Sequence, residues 1–261
     1  MTRVPTHAAA LFFLLLVAAC GGGATSGPVD FSVSAAQNYE RGMRKLEEQE
    51  WVDAAKYFAF LKARFPYSKF AVLADLRLAD AQLGAGGHLE AVDAYKLFIK
   101  FHPTHEMVQN GYASFRIGEA HHKMLPGDWW LLPPSHEKDQ GASLEAVRAI
   151  GDFLRQYPRS PYAERAKAMY VSVAKRLAAH EWYAANFYWK RDKPLGTVLR
   201  LRVLLKDYPD TGYDPEAMYL LGRAYTRIKR KEDAKKMYQD LVAKFPKHRR
   251  ADDARSALTQ L

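Results

Sequence analysis

The stretch LGRAYTRIKRKEDAKKMYQDLVAKFP, residues 221–246, decides the fold. Its landmarks are Leu221-Gly222, Tyr225, Ala234, Tyr238 and Phe245-Pro246. Ala follows Gly by 12 residues, an aromatic ring follows Ala by four, and Pro comes eight residues later. Residues four apart share one helical face. Ala lets a neighbouring helix approach closely, and the ring one turn on fills the gap beside it. Pro cannot continue a helix and biases the residue before it toward extended geometry, so the helix stops at a fixed place. The stretch therefore predicts a pair of amphipathic helices closed by Phe245-Pro246.

Working outward, the same pattern recurs. Ala54-Phe58-Phe65-Pro66 is its first instance, with Gly42 upstream, and Ala91-Tyr95 leads to Phe101-His102-Pro103. Ala146-Ile150-Tyr157-Pro158 and Leu201-Tyr208-Pro209 are looser copies. The five prolines are separated by 37, 55, 51 and 37 residues, a spacing that points to a solenoid. These are the positions of the tetratricopeptide repeat. The expected fold is all-α, a tetratricopeptide-repeat superhelix of about five helix pairs, with no alternating strand pattern.

Two irregularities stand out. In the third repeat Ile117-Gly118 take the Leu-Gly positions, but Ala146 follows Gly118 by 28 residues rather than 12. The surplus falls in LPGDWWLLPPSHEKDQG, residues 125–141, whose Pro and Gly forbid a regular helix. Its Trp129-Trp130-Leu131-Leu132 would be costly to leave in water. This insertion either folds back onto the groove or meets a partner. In the fourth repeat the first helix runs unbroken from near Pro161 to about Arg191. Its Trp182, Tyr183, Phe187, Tyr188 and Trp189 lie on more than one face, which predicts packing in two directions.

The N-terminus reads as an export signal. Arg3 is followed by the apolar run AAALFFLLLVAA, Ala8 to Ala19, about half the length of a membrane-spanning helix. The run ends in Val17-Ala18-Ala19-Cys20, and Cys20 is the only cysteine. It has no disulfide partner in the chain and stands where a lipoprotein carries its acylated cysteine. The expected organisation is a lipoprotein signal over 1–19, then a lipidated end and flexible tether over 20–35. N-terminal repeats follow over 36–160 and C-terminal repeats over 161–261. Three acyl chains would hold the protein on the membrane far beyond the marginal binding of one. Gly22, in place of Asp, favours the outer membrane.

The formal charge is +10 and falls to +9 without Arg3. Between Asn186 and Arg250 there are 17 Lys and Arg against 8 Asp and Glu, so this segment carries the whole excess. An exported protein seldom meets nucleic acid, and an acidic protein or anionic headgroups suit the charge better.

Little in the chain supports catalysis or a cofactor. Neighbouring helix residues point about 100° apart, so His121 and His122 cannot both chelate one ion. His102 and His105, with Glu106, flank a Pro-Thr turn that is either a polar loop or a zinc site. No phosphate loop, nucleophile elbow or His-Glu-x-x-His motif is present. Paired carboxylates such as Glu47-Glu48 sit among Lys and Arg and read as solvated helix surface. The chain is expected to bind rather than catalyse. A solenoid presents a concave groove lined by each repeat's first helix. Repeat positions place Tyr39, Met43, Leu76, Asp80, Tyr112, Phe115, Glu119 and His122 there, each either lining the groove or packed between helices. Apolar and aromatic residues with a few polar ones suit an extended peptide.

Several stretches carry a resemblance. They are Arg176-Leu177-Ala178 with Tyr183, Phe187-Tyr188 and Arg191, then Leu204-Leu205-Lys206-Asp207-Tyr208-Pro209-Asp210-Thr211. Trp51-x-x-Ala54 with Arg64-Phe65-Pro66, and Phe98-Ile99 with His102-Pro103-Thr104-His105, add to them. Over about residues 37–228 the chain resembles the BamD family, the tetratricopeptide lipoproteins of the outer-membrane β-barrel assembly machine. The resemblance implies a non-catalytic subunit on the periplasmic face of the outer membrane. It implies an N-terminal groove for unfolded outer-membrane proteins, and a C-terminal half that docks on the POTRA domains of a BamA-like barrel protein. It allows for smaller lipoproteins in the same complex. Tyr188, Arg191 and Arg200 are the implied docking residues. Lys193-Pro194-Leu195-Gly196 departs from the family's more helix-friendly turn, and Lys247-His248-Arg249-Arg250 makes the C-terminal end more basic. Export, lipidation and repeats alone would equally suit a periplasmic scaffold for cell-wall, pilus or secretion assembly.

Overall fold

The computed structural model describes residues 29–127 and 134–261. Among these residues there are twelve α-helices, one 3-10 turn over Ser135–Glu137, and no strand. The helices α1 (Ala35–Glu47) and α2 (Trp51–Arg64) form the first pair, and α3 (Lys69–Gly84) and α4 (His88–Phe101) the second. A single turn, α5 (Glu106–Gln109), precedes the third pair, α6 (Tyr112–Lys123) and α7 (Gly141–Gln156). The fourth pair is α8 (Ala163–Lys190) and α9 (Pro194–Asp207), and the fifth is α10 (Asp214–Arg227) and α11 (Lys231–Lys244). The last helix, α12 (Arg249–Leu258), covers the end. Each helix packs chiefly on its neighbours in the chain, the signature of a solenoid of helix pairs. Among the described residues no helix is long and apolar enough to cross a membrane.

The small-residue rule holds through the array. Ala54, Ala91, Ala146 and Ala234 are fully buried, each in the second helix of its pair. In the fourth pair Thr197 takes that place and donates its hydroxyl to the Ala185 carbonyl at 3.3 Å. Gly222 shows why the partner position must be small: a Cβ there would lie 2.4 Å from the Tyr238 ring.

One turn recurs after every second helix. Phe65, His102, Tyr157, Tyr208 and Phe245 each stand before Pro with φ between −132° and −127° and ψ between 51° and 57°. Each has left the α region, which a following Pro disfavours. Three residues on, a polar side chain accepts from a backbone N–H at the start of the next helical segment. Ser68 accepts from Phe70 at 3.2 Å, His105 Nδ1 from Met107 at 3.1 Å, Ser160 from Tyr162 at 3.3 Å, and His248 Nδ1 from Arg250 at 3.2 Å. His105 thus serves as a helix cap.

The third pair starts with a break. Gly111, at φ 84°, ends α5 and begins α6 in a conformation that favours glycine. The described flanks of the 125–141 insertion return to α8. Arg176 Nη1 donates to the Pro126 carbonyl at 2.8 Å, His180 Nδ1 lies 2.7 Å from the His136 carbonyl, and the His136 ring tilts against Tyr183 at 5.1 Å. Trp129-Trp130-Leu131-Leu132 lie outside the described residues, as do Cys20 and the signal segment.

The long helix of the fourth pair extends over 28 residues, as the sequence predicts. Ala166, Val173 and Leu177 pack with Phe115 and Phe153 of the third pair, while Ala178 and Ala185 pack with Leu201 and Leu221 further on. Trp182 and Trp189 join the C-terminal core, whereas Tyr183 and Phe187 remain substantially exposed. Pro194 departs from the expected turn without disturbing it, because it occupies the first turn of α9, where Pro is favoured.

Before α1 the chain is pinned. Phe31 stacks on Phe60 at 4.1 Å and meets Tyr57 edge-on at 5.6 Å. The buried Asn38 side chain donates to the Ser32 and Ser34 carbonyls at 2.7 and 2.9 Å and accepts from the Ser32 N–H at 2.8 Å. The last residues of the expected tether are therefore held against the first repeat.

Candidate peptide groove and docking face

The first helices of successive pairs, α1, α3, α6 and α8, carry a continuous polar network. Asp80 on α3 is its centre. Its Oδ1 accepts from the Tyr95 hydroxyl at 2.5 Å and from the Tyr112 hydroxyl at 2.8 Å, and its Oδ2 pairs with Arg77 at 2.8 Å. Arg116 Nε lies 3.3 Å from Oδ1, and Arg116 Nη1 reaches Glu119 at 2.5 Å. Arg165 of α8 also pairs with Glu119. At the other end Arg77 donates to the Tyr39 hydroxyl of α1 at 3.4 Å. One chain of polar contacts thus links four repeats.

The rings follow the same line. Arg77 and Arg116 both lie against Tyr112, 5.6 and 5.8 Å from its centre. Tyr162 stacks on Phe115 at 5.0 Å and meets Tyr112 at 5.5 Å, while Arg165 stands 5.2 Å over Phe115. Burial opposes charge on Arg77, but Asp80 and the Tyr39 hydroxyl outweigh it and raise its pKa. Burial likewise opposes charge on Arg116, and its Tyr95 and Asp80 neighbours outweigh it. Burial, then Asp80, raises Tyr95 and Tyr112 well above the usual tyrosine value, so both hydroxyls stay donors at neutral pH.

The expected groove residues divide. Tyr39, Met43, Tyr112 and His122 keep partial exposure. Leu76 and Phe115 do not line the groove. Leu76 is sealed in the core with Val92 and Tyr95, and Phe115 is sealed against Ile150 and Phe153. Their positions face the second helix of the pair rather than the concave surface. Asp80 and Glu119 are also buried, and their carboxylates are engaged by arginines. The surface that remains presents tyrosines and guanidinium groups.

His121 and His122 sit at the end of α6. Burial lowers both pKa values, with Lys96 adding to the effect at His121 against Glu145, and with Glu119 opposing it at His122. Among the described residues no group of three or more His, Cys, Asp or Glu side chains is placed to hold a metal ion.

In the C-terminal half the three docking candidates take different surroundings. Tyr188 is half-buried, its ring so close to Gly196 that a Cβ there would lie 2.7 Å away. Its ring closes the α8–α9 turn and keeps partial exposure. Arg191 lies 3.5 Å over the Phe187 ring. Arg200 faces Glu181 at 3.4 and 3.5 Å and is still 41% exposed along its side chain. On the same helix Leu195 and Leu199, one turn apart, are 65% and 64% exposed. Leu199, Arg202, Lys206 and Met237 border an open hollow of about 510 Å³ between α9 and the fifth pair.

A family model described as an outer membrane lipoprotein, YfiO, matches residues 32–239. The chain belongs to this family. It is 26% identical over 236 residues to the outer membrane protein assembly factor BamD of Neisseria meningitidis serogroup A, covering 86% of each chain. It is 27% identical over 211 residues to the factor of the same name from Xylella fastidiosa strain 9a5c, covering 80% of this chain and 72% of that one. Among solved structures it is similar to the TPR2AB-domain:pHSP90 complex of yeast Sti1, with a TM-score of 0.41 at 13% identity, over 87% of this chain and 84% of that one.

The family match takes in the whole Asp80 network and ends within α11, short of α12. Sequence reasoning placed Asp80 and Glu119 but missed Arg77, Tyr95, Arg116, Tyr162 and Arg165. A signal was present. Arg77-x-x-Asp80 and Arg116-x-x-Glu119 repeat the same spacing at the same repeat position, 39 residues apart. It also missed Leu195 and Leu199, because apolar residues at helical spacing read as core.

Proposed function

We propose that this chain is a subunit of an outer-membrane protein assembly complex that binds unfolded barrel proteins in its N-terminal groove and docks a BamA-like protein through α9. The observation that carries the reading is the network on α1, α3, α6 and α8, which fixes Tyr39, Tyr112, Arg77, Arg116 and Arg165 along one face. Fixed rings accept alternate apolar side chains of an extended strand, and arginine N–H groups pair with its carbonyls or carboxylates. The names of the relatives support the same role. The protein works by binding and supplies no catalytic group. Arg200 offers a charge, and the exposed Leu195 and Leu199 of the same helix an apolar patch, a combination that suits POTRA docking. Cys20 is the acylated residue that holds the protein at the periplasmic face of the outer membrane.

Photocrosslinking in cells tests this. A probe at Tyr112 should capture newly exported barrel proteins, and a probe at Arg200 should capture the BamA-like subunit. Capture of cell-wall or pilus components at both positions, with neither of those partners, would overturn the assignment. Cys20→Ser should abolish fatty-acid labelling, and labelling that persists would move the anchor elsewhere.

A further inference from the structure

The end of α8, the outer turns of α10 and the residues after α12 enclose a second cleft, of about 430 Å³. It lies apart from the groove network and from the α9 face. Trp189 and Tyr219 supply its apolar wall, and Gln260 and Leu261 close one side. Arg223 and Arg227, one turn apart on α10, both stack on Trp189, at 4.9 and 5.0 Å from its ring. Arg223 is exposed and forms no ion pair among the described residues. The partner of Arg227 is Asp192, at 3.2 Å and 73% exposed, a surface pair of small worth. Arg250 stands over Tyr219 at 4.9 Å, but Glu216 and Asp253 offset its charge. His248 also faces Glu216, at 3.7 Å.

We propose that this cleft binds an extended acidic peptide segment, with a carboxylate pair on Arg223 and Arg227 and an apolar side chain against Trp189. Stacking fixes a guanidinium plane while its N–H edges stay available, the arrangement that favours bidentate carboxylate recognition. The cleft is far larger than one small anion needs, and the Trp189 and Tyr219 rings offer a seat for a side chain, which favours a peptide over a lone phosphate. It is built partly from α12 and the residues after it, which the family match does not reach. The proposal goes beyond the assembly role and stands whether or not the groove binds barrel proteins.

The test uses the full chain in detergent and a fluorescein-labelled peptide, Glu-Asp-Phe-Asp-Glu-Leu, followed by anisotropy. Saturable binding is expected, weakened about tenfold or more by R223Q with R227Q. K235Q with K236Q, which removes the same charge from exposed positions of α11, should leave affinity unchanged. R223Q alone has no ion pair to lose, so it separates binding from folding, and it should weaken binding severalfold. The uncharged peptide Gln-Asn-Phe-Asn-Gln-Leu should not bind. The proposal is overturned by any of three results: no saturable binding, equal losses from both double variants, or equal competition by oligothymidylate or phosphatidylglycerol vesicles at matched charge.

Discussion

Tyr112 donates its hydroxyl to Asp80 Oδ1 at 2.8 Å, from one helix pair to the one before it, across 32 residues. Tyr95 reaches the same oxygen from within the second pair. Deleting the carboxylate strands two hydroxyls and leaves Arg77 and Arg116 short of a counter-charge in a poorly hydrated place. Asp80→Ala should cost about 3–5 kcal/mol in urea unfolding. Asp80→Asn keeps an acceptor oxygen and should lose less. An Asp80→Ala chain as stable as the parent would show that the network does not hold the repeats together.

Two glycine substitutions should move stability in opposite directions. At Gly222 a Cβ would meet the Tyr238 ring at 2.4 Å, so Gly222→Ala should destabilise by about 1–3 kcal/mol. At Gly151, inside α7, the nearest atom of Tyr170 is 3.4 Å away, an ordinary contact. Gly151→Ala should therefore stabilise by about 0.5–1 kcal/mol through backbone entropy. Melting curves of the two variants check the sign directly.

The histidines of α6 give a pH dependence. Burial holds His121 and His122 below the ordinary histidine value of 6.5. The unfolded chain then takes up protons first as pH falls, so their contribution is full above 6.5 and is lost on descending through the lower folded values. The melting temperature should drop between neutral and mildly acidic pH. In His121→Gln with His122→Gln the drop should be smaller. An identical drop in the variant would assign it to other groups.

The pin before α1 is also measurable. Phe31→Ala removes the stack on Phe60 from a site already 40% exposed, so the cost should be modest, about 1–2 kcal/mol. Limited proteolysis should then cut ahead of Ala35 sooner than in the parent. Unchanged cleavage would mean that Asn38, with the ion pair of Arg41 to Asp30 at 2.9 Å, holds the segment without the ring.

The Ala, ring and Pro positions were legible because each answers a local demand: a small residue where helices touch, a ring one turn on, a stop at a set distance. Ala234 and Tyr238 could be read from one stretch of chain and then found again upstream. The turn after each Pro was only half legible. Ser68 and Ser160 are ordinary caps, but His105 and His248 do the same work with a ring nitrogen, and histidine next to histidine and glutamate invites a metal reading. The groove was harder. Asp80 and Glu119 stand where a concave surface should be, yet buried charge follows its partners, and Tyr112 and Arg165 come from the next pair in space. Leu76 looked like groove lining because a helical period locates a face to within one residue, and a rotation of one residue exchanges groove for core.

The length of α8 has a mechanical consequence. Near its start Arg165 grips Glu119 of the groove, and near its end Trp189 underlies Arg223 and Arg227. A continuous helix of 28 residues is a rod about 42 Å long. A tilt of about 5° at one end swings the other by about 4 Å, enough to open or close a gap the width of a side chain. A tug on the rings of the groove can therefore act as leverage at the far cleft with no helix unwound, the two cores packed on α8 sliding with it.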